Sequence, residues 1–331
     1  MSASTESIGI LGKKFKKSKK NQTTLSTKGY FAKTRLLYLM LLPAILVTLL
    51  FKYYPMFGIQ LAFKDWSPMS GIWGSPWATD VEGNLDLLKH FRRLFDDPYF
   101  WKTFFNTIRI AGFRILFGFP IPIIIAILLN EMKNKFIRNT VQTISYLPHF
   151  VSWVIIANIL IIMMSADSSF QLFLEKLLGK QIYFFSNPKL FLGIITASEV
   201  WKSCGWSTII YFAALSSIDP ELYEAAEVDG AGRWKKILNI TIPGILPAIT
   251  IRLIFTISGL ASANFDQIFN MYNTTVYETG DVLSTYLYRT GIGSGQYDIS
   301  EALSVFNSLI SLSLTLITNR VIKKMGGEGI W

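Results

Sequence analysis

The sequence has 331 residues, of which 51% are hydrophobic and only 16% are charged. Soluble domains carry about 25% charged residues, so this composition excludes an ordinary soluble domain and predicts an all-α integral membrane protein. The net charge of +10 does not indicate nucleic acid, because much of the excess lies in a lysine-rich run within residues 13–20. We expect residues 1–35 to form a basic cytoplasmic tail, and a specific contact with anionic lipid is the alternative.

The middle of the chain, residues 36–325, contains apolar segments of about twenty residues, the length that an α-helix needs to cross a bilayer. Six such segments are predicted to be transmembrane helices, followed by a short tail at 326–331. An even number places both termini on the same side of the membrane. In chain order the predicted spans are 36–53, 101–130, 141–165, 191–216, 243–265 and 302–322.

Basic residues in the connecting segments assign the orientation of these helices. They are concentrated in the N-terminal tail, in 131–140, in 217–242 and after residue 319, whereas the other connections carry mixed charge. The basic segments alternate along the chain, as the positive-inside rule requires if they share one compartment. We therefore expect both termini to be cytoplasmic, together with the loop 217–243.

That loop carries a charged pattern interrupted by glycine. Asp219 and Pro220 form a good helix start, since a carboxylate caps free N–H groups and proline fits the first turn. We expect a short helix over 221–228, a break at Gly230 and a second amphipathic piece at 233–240 that leads to the fifth span. This arrangement favours a docking surface for another protein, and an ordinary helical hairpin loop is the alternative.

The same loop resembles the signature of permease subunits in bacterial ABC importers fed by binding proteins. Six of the seven positions of the pattern E-A-A-x3-G-x9-I-x-L-P match between Glu224 and Pro243, and Ile242 stands where leucine is usual. The resemblance implies a type I importer permease (MetI-like) fold, in which the first helix of the motif is a coupling helix seated in a groove of a separate ATPase. The coupling residues that it implies are Glu221, Leu222, Glu224, Ala225, Ala226, Asp229, Gly230 and Ala231.

A looser resemblance covers residues 42–66 and 146–155, which are similar to permeases of the carbohydrate branch, particularly those for complex oligosaccharides or polysaccharide fragments. It implies ATP-driven import of oligosaccharide across the bacterial cytoplasmic membrane by alternating access. The implied partners are a second, different permease, an ATPase dimer that binds ATP and magnesium, an extracytoplasmic sugar-binding protein and membrane lipid. No catalytic residue, metal or cofactor is expected on this chain, and nucleic acid is not an expected partner.

Two other classes of function stay open on the residues alone. The chain has no G-x-x-x-x-G-K-[ST] phosphate-binding loop, so it is not expected to hydrolyse ATP itself. A membrane-embedded glycan-processing enzyme would need loop carboxylates, for which Asp96 and Asp97 are the candidate pair; a turn or helix start at Asp97 is the alternative. A channel that works without an ATPase would conduct without any partner.

Charged residues near the centres of the predicted spans mark a candidate substrate pathway. A charge that faces lipid costs about 2.5 to 3.5 kcal/mol, so these side chains should face protein or a wet cavity. Glu199 and Lys202 lie one helical turn apart, and neutralising each other is their alternative role. Aromatic faces suit pyranose rings, although such residues also pack helices. The pathway candidates are Arg114, Trp153, Glu199, Trp201, Lys202, Trp206, Tyr211, Arg252 and Asn264.

Overall fold

The computed structural model describes residues 27–259, 265–327 and 329–330. The predicted basic tail falls almost entirely outside these residues, and so does the pathway candidate Asn264. In chain order the α-helices are α1 (Thr27–Thr48), α2 (Gly71–Gly74), α3 (Lys89–Asp96), α4 (Pro98–Phe113), α5 (Pro120–Asn130), α6 (Lys135–Tyr146), α7 (Trp153–Met163), α8 (Ser169–Leu178), α9 (Pro188–Leu215), α10 (Pro220–Val228), α11 (Arg233–Lys236), α12 (Ile242–Ser258), α13 (Phe265–Met271), α14 (Tyr277–Gly280), α15 (Leu283–Tyr288) and α16 (Tyr297–Lys324).

The described residues divide into two compact units, with the boundary between Gly58 and Ile59. In the first unit α1 continues into a π-helical turn at Leu49–Tyr53. Its large apolar side chains are exposed, among them Leu36 at 65% and Phe51 at 75%. A row of apolar side chains exposed in this way suits a helix surrounded by lipid.

The described residues contain four helices that are long and apolar enough to cross a membrane, and a fifth if one bent pair counts as a single span. The four are Thr34–Phe63, Pro98–Asn130, Arg233–Ser258 and Tyr297–Lys324, which match the first, second, fifth and sixth predicted spans. The fourth predicted span is the 28-residue helix α9, whose apolar sequence is interrupted by polar residues. A mostly helical protein with several apolar helices is therefore confirmed, whereas the count of six spans stays a prediction.

The third predicted span, 141–165, is not one straight helix. The segments Lys135–Phe150 and Trp153–Met163 are bent by 98° relative to each other. Pro148 lacks the N–H that would continue the first segment, and the hydroxyl of Ser152 caps a new helix. The prediction of a continuous helix here is wrong, because proline and the serine cap together favour a break.

The fifth apolar helix begins earlier than predicted. The piece at 233–240 is not separate from the span but continues into it, giving one helix over Arg233–Ser258. Its backbone widens into a π-helical turn at Ile237–Thr241, directly before Pro243. A π-turn rearranges the i to i−4 hydrogen bonds, so a residue without an N–H is accommodated without ending the helix. Pro243 therefore lies inside the helix instead of starting it.

Helix α9 supplies much of the core of the second unit, because it packs against the second, third and fifth apolar segments. Phe191 and Ile195 are fully buried in a cluster that also contains Ile110 of α4. Close packing against α6 requires Gly205, since a Cβ atom there would collide with the carbonyl of Ser145. The backbone of α9 thus touches the third segment directly.

An ion pair with a buried carboxylate ties α15 and its surroundings to the start of α4. Arg289 donates from Nη2 to Asp281 Oδ2 at 2.6 Å, and Thr285 donates to Asp281 Oδ1 at 2.7 Å. The Tyr99 hydroxyl also donates to this carboxylate, which is fully buried. Burial lowers the pKa of Arg289, but its hydrogen bond to Asp281 and the carboxylate charge outweigh that effect and raise the pKa overall. The cluster therefore fixes the segment that follows α13.

Candidate functional site

Helix α10 begins as the sequence predicts. The Asp219 carboxylate accepts a hydrogen bond from the Glu221 N–H at 3.0 Å, and Pro220 occupies the first turn. No residue of the helix is fully buried, and Leu222 and Val228 are 53% and 89% exposed. Exposed apolar positions among acidic ones suit contact with another protein surface. The existence of this helix is confirmed, and its coupling role stays a prediction.

The turn after α10 is built around Gly230. Its φ of +71° lies in the left-handed region, which only glycine reaches without strain. The Ala231 N–H donates to the Ala226 carbonyl at 2.8 Å, and Lys236 Nζ donates to Glu227 Oε2 at 2.8 Å. The Lys236 hydrogen bond and charge lower the pKa of Glu227. These contacts hold α10 at a defined angle to the helix that enters the fifth apolar segment.

A cavity of about 310 Å³ lies among the second, fourth and fifth apolar segments. We call it the arginine cavity, and its size falls at the lower end of typical ligand sites. It combines two guanidinium groups, one carboxylate and several hydroxyls within apolar walls, a lining that suits a hydroxylated or anionic ligand. The pathway candidates in its lining are Arg114, Glu199, Tyr211 and Arg252.

Arg114 is held in place by a buried amide. Its Nη2 donates to Gln267 Oε1 at 2.5 Å, and Gln267 in turn donates from Nε2 to the Ile195 carbonyl at 2.6 Å and to Ser198 Oγ at 2.9 Å. The Nε atom of Arg114 is buried without a hydrogen-bond partner in the described part of the chain. Arg114 thus lines the cavity as a guanidinium in a fixed position, and a guanidinium is suited to pairing with an anionic group that enters the cavity.

Arg252 lines the same cavity from the fifth apolar segment. Its Nη2 donates to Ser207 Oγ at 3.3 Å, a long distance for such a bond. Arg252 is therefore held less firmly than Arg114, so its guanidinium is better able to adjust to a ligand.

The other described pathway candidates are not among the residues that line the arginine cavity. Lys202 donates to backbone carbonyls at the break in the third segment and lies 5.5 Å from the ring of Trp153. Trp206 stacks on His149 with ring centroids 4.7 Å apart. Trp201 lines a separate, largely apolar cavity. The structure thus divides the described pathway candidates into one group at the arginine cavity, a second group near the break, and Trp201 in a cavity of its own.

Several residues of the arginine cavity were missed at the sequence level. Ser203 and Ser207 also line it, between Glu199 and Tyr211 on α9. Glu199, Ser203, Ser207 and Tyr211 are spaced four residues apart, so they share one helix face. This spacing could have been recognised in the sequence. Gln267 had no such signal, because its contact with Arg114 depends on how two distant helices pack.

Asp97 has a structural role. Its carboxylate accepts hydrogen bonds from the Tyr99 N–H at 2.9 Å and from the Tyr286 hydroxyl at 2.8 Å. It therefore caps α4, which confirms the prediction of a helix start. Over the described ranges, no group of three or more His, Cys, Asp or Glu side chains is placed to hold a metal ion.

Comparison with known proteins gives a consistent result. Residues 118–324 match the family model described as "Binding-protein-dependent transport system inner membrane component". The chain is 38% identical over 321 residues to the polygalacturonan/rhamnogalacturonan transport system permease protein YteP of Bacillus subtilis (strain 168), a match that covers 96% of this chain and 95% of the relative.

Solved structures agree with this similarity. A chain of a bacterial alginate ABC transporter, crystallised with an alginate pentasaccharide-bound periplasmic protein, is 38% identical with a TM-score of 0.81, covering 91% of this chain and 98% of that chain. A second structure, of a bacterial ABC transporter involved in import of the acidic polysaccharide alginate, is 38% identical with a TM-score of 0.80, covering 89% and 97% respectively. The similarity therefore extends over nearly the whole length of the chains compared.

Proposed function

Because the chain belongs to the family of inner membrane components of binding-protein-dependent transport systems, we propose that it is one permease half of an ATP-driven importer of acidic oligosaccharides. Membership of this family makes it an ABC transport permease, a transport subunit without an ATPase motif of its own. The finer parts of the proposal are the cargo, the topology and the partner subunits.

The arginine cavity carries the proposal for the cargo. Arg114 and Arg252 place two guanidinium groups in one cavity, and guanidinium groups pair well with carboxylates. Uronic acid residues of acidic polysaccharides carry such carboxylates beside several hydroxyls. The same lining contains the hydroxyls of Ser203, which donates to the Glu199 carbonyl, and of Ser207, which accepts from Arg252; each oxygen can accept a further hydrogen bond from a sugar hydroxyl. The relatives named for polygalacturonan and alginate support the same class of cargo.

The proposed topology counts α9 as a span and the bent pair as another, which gives six with the four long apolar helices. The basic connections then share the cytoplasmic side with both termini. Helix α10 would face the cytoplasm, where Glu224, Ala225 and Gly230 match the coupling motif. An ATPase dimer that binds ATP and magnesium would contact it, a different permease would complete the pore, and a binding protein would deliver the cargo from outside.

The topology predicts where reporters are active. Green fluorescent protein fused after Lys324 should fluoresce, and alkaline phosphatase fused there should be inactive. An even number of spans returns the chain to the cytoplasmic side, where the basic tail is expected. After Glu82, in the loop between α1 and α3, alkaline phosphatase should be active and green fluorescent protein should not fluoresce. Alkaline phosphatase and green fluorescent protein fusions at both positions measure this. Phosphatase activity at Lys324 would contradict the six-span count.

The proposed cargo is tested with oligosaccharides of equal length. The permease would be purified with its partner permease and ATPase, placed in liposomes, and supplied with binding protein and either oligogalacturonate or an uncharged glucose oligomer. We expect ATP-dependent uptake of the acidic sugar and little uptake of the neutral one. Uptake of the neutral sugar alone would contradict the cargo and leave the transport function standing, whereas uptake of either sugar without ATP would contradict the transport function.

A further inference from the structure

The break in the third apolar segment exposes backbone carbonyls that a regular helix would pair. Helix α6 passes into a 3-10 turn that ends at Phe150, and a new helix begins at Trp153. The two segments are bent by 98°, so the carbonyls of His149 and Val151 have no continuing helix to accept from, whereas the Pro148 carbonyl accepts the Val151 N–H at 3.2 Å. Unpaired carbonyls within a membrane segment are strongly unfavourable, so a donor has to come from elsewhere.

That donor is Lys202 of helix α9. Its ammonium nitrogen donates to the carbonyls of Val151 at 2.5 Å, His149 at 2.8 Å and Pro148 at 3.3 Å. The same nitrogen lies 5.5 Å from the ring centroid of Trp153, the first residue of the next helix. Three carbonyls and an aromatic face therefore surround one compact cation, which suits the tripod of N–H donors on lysine.

The neighbouring residues of α9 strengthen the same contact. Gly205 brings the backbone of α9 against Ser145, and Trp206 stacks on His149 with an interplanar angle of 3°. Lys202, Gly205 and Trp206 lie within about one helical turn, so a single face of α9 holds the break. Ser203 and Ser207, on the adjacent side of the helix, line the arginine cavity, and so does Glu199, which lies one turn before Lys202.

We propose that Lys202 is a positioning residue of the transport cycle, whose ammonium group holds the break of the third segment to α9 so that the two move together. Helix α9 ends at Leu215 and α10 starts at Pro220, so movement of the proposed coupling helix reaches α9 through a short connection. Lys202 then extends that movement to the third segment. The inference rests on the proposed transport function, since it assigns a role within that cycle.

The first test replaces Lys202 with methionine, which keeps the length of the side chain and removes its charge and donors. We expect the complex to assemble, ATP hydrolysis to be stimulated by the loaded binding protein, and the sugar transported per ATP to fall at least tenfold. Lys189→Met is the matched control, because Lys189 lies exposed on the same helix. A ratio of sugar to ATP equal to that of the native chain would overturn the inference.

Chemical rescue separates the positioning role from a general packing effect. In Lys202→Ala, n-propylammonium should restore part of the transport, whereas tetramethylammonium, which has the charge but no N–H donors, should not. Equal restoration by both cations, or by neither, would contradict the assignment. If these variants fail to insert, Lys202→Arg decides: its planar guanidinium fits three converging carbonyls poorly, so transport should fall while insertion holds, and normal transport would overturn the inference.

Hydrogen exchange distinguishes failure of this inference from failure of the proposed function. In Lys202→Met, amide exchange should increase at residues 147–155 and stay unchanged in α10. That result concerns the break alone and can be obtained without any sugar. If the native chain does not transport oligosaccharide, the proposed function fails while the exchange result still reports on Lys202; unchanged exchange at the break would contradict the contact itself.

Discussion

Replacing Glu224 by lysine is expected to reduce sugar uptake and stimulated ATP hydrolysis together by about 30-fold or more. The residue is exposed on α10 and belongs to the proposed coupling motif. Reversing a charge at a close protein interface costs about 2 kcal/mol or more, which corresponds to roughly that factor in affinity. Glu224→Gln removes the charge without reversing it and should have a smaller effect. The measurement is the amount of ATPase that co-purifies, followed by uptake in liposomes.

Gly230→Val tests the geometry of the same helix. A Cβ atom added at Gly230 meets no neighbouring atom within 4 Å, but a φ of +71° would strain the backbone of a valine there by about 1–2 kcal/mol. We expect α10 to be misdirected and uptake to fall, with insertion unaffected. Gly232→Val is the matched control, because Gly232 has equally open surroundings and a φ of −68°. Normal ATPase retention and normal stimulation in both Glu224→Lys and Gly230→Val would contradict the coupling role.

The arginine cavity should lose its preference for acidic cargo when Arg252 is replaced by leucine. A charge-assisted hydrogen bond contributes about 1.5 kcal/mol or more, so the KM for an acidic oligosaccharide should rise roughly tenfold or more. Arg252→Lys, which keeps the charge, should retain most of the affinity. Arg109→Leu serves as a further control, since Arg109 is exposed and does not line the cavity. A KM that is unchanged for acidic sugar in Arg252→Leu would remove Arg252 from the site.

Arg114→Leu is expected to reduce transport more than Arg252→Leu does, and to impair assembly of the complex as well. Its loss leaves the buried oxygen of Gln267 without the hydrogen bond from Arg114, at a cost of about 1–3 kcal/mol. We therefore expect reduced yield of the complex as well as reduced transport. Thermal unfolding in detergent separates the two effects, because a lower melting temperature reports the lost packing. A complex of normal stability and normal transport would show that Arg114 contributes to neither.

Local features of the fold were predictable because they depend on neighbours in the sequence. Asp219 and Pro220 start α10 through a capping carboxylate and a preset proline, and Gly230 supplies the backbone angle that ends it. The long apolar helices follow from hydropathy in the same way. These signals lie within a few residues of one another, so they can be recognised without tertiary information.

Contacts between distant helices were not predictable. The break near Pro148 had a local signal in the proline, but its stabilising partner, Lys202, lies more than fifty residues further along the chain. The sequence placed Lys202 beside Glu199, and the structure shows in addition that its ammonium group donates to backbone carbonyls. Gln267 reaches Arg114 across an even larger separation. Such pairings depend on which helix faces meet. The spacing of hydrophobic residues along the sequence does not determine that.

This chain is proposed to form one half of the path for ATP-driven uptake of acidic oligosaccharide. The most direct measurement is accumulation of radiolabelled oligogalacturonate in liposomes that contain the permease pair and ATPase, with loaded binding protein outside and ATP inside. We predict accumulation above the external concentration that requires ATP and is lost in Glu224→Lys. Entry that stops at equal concentrations and proceeds equally without ATP would contradict the claim and indicate a channel.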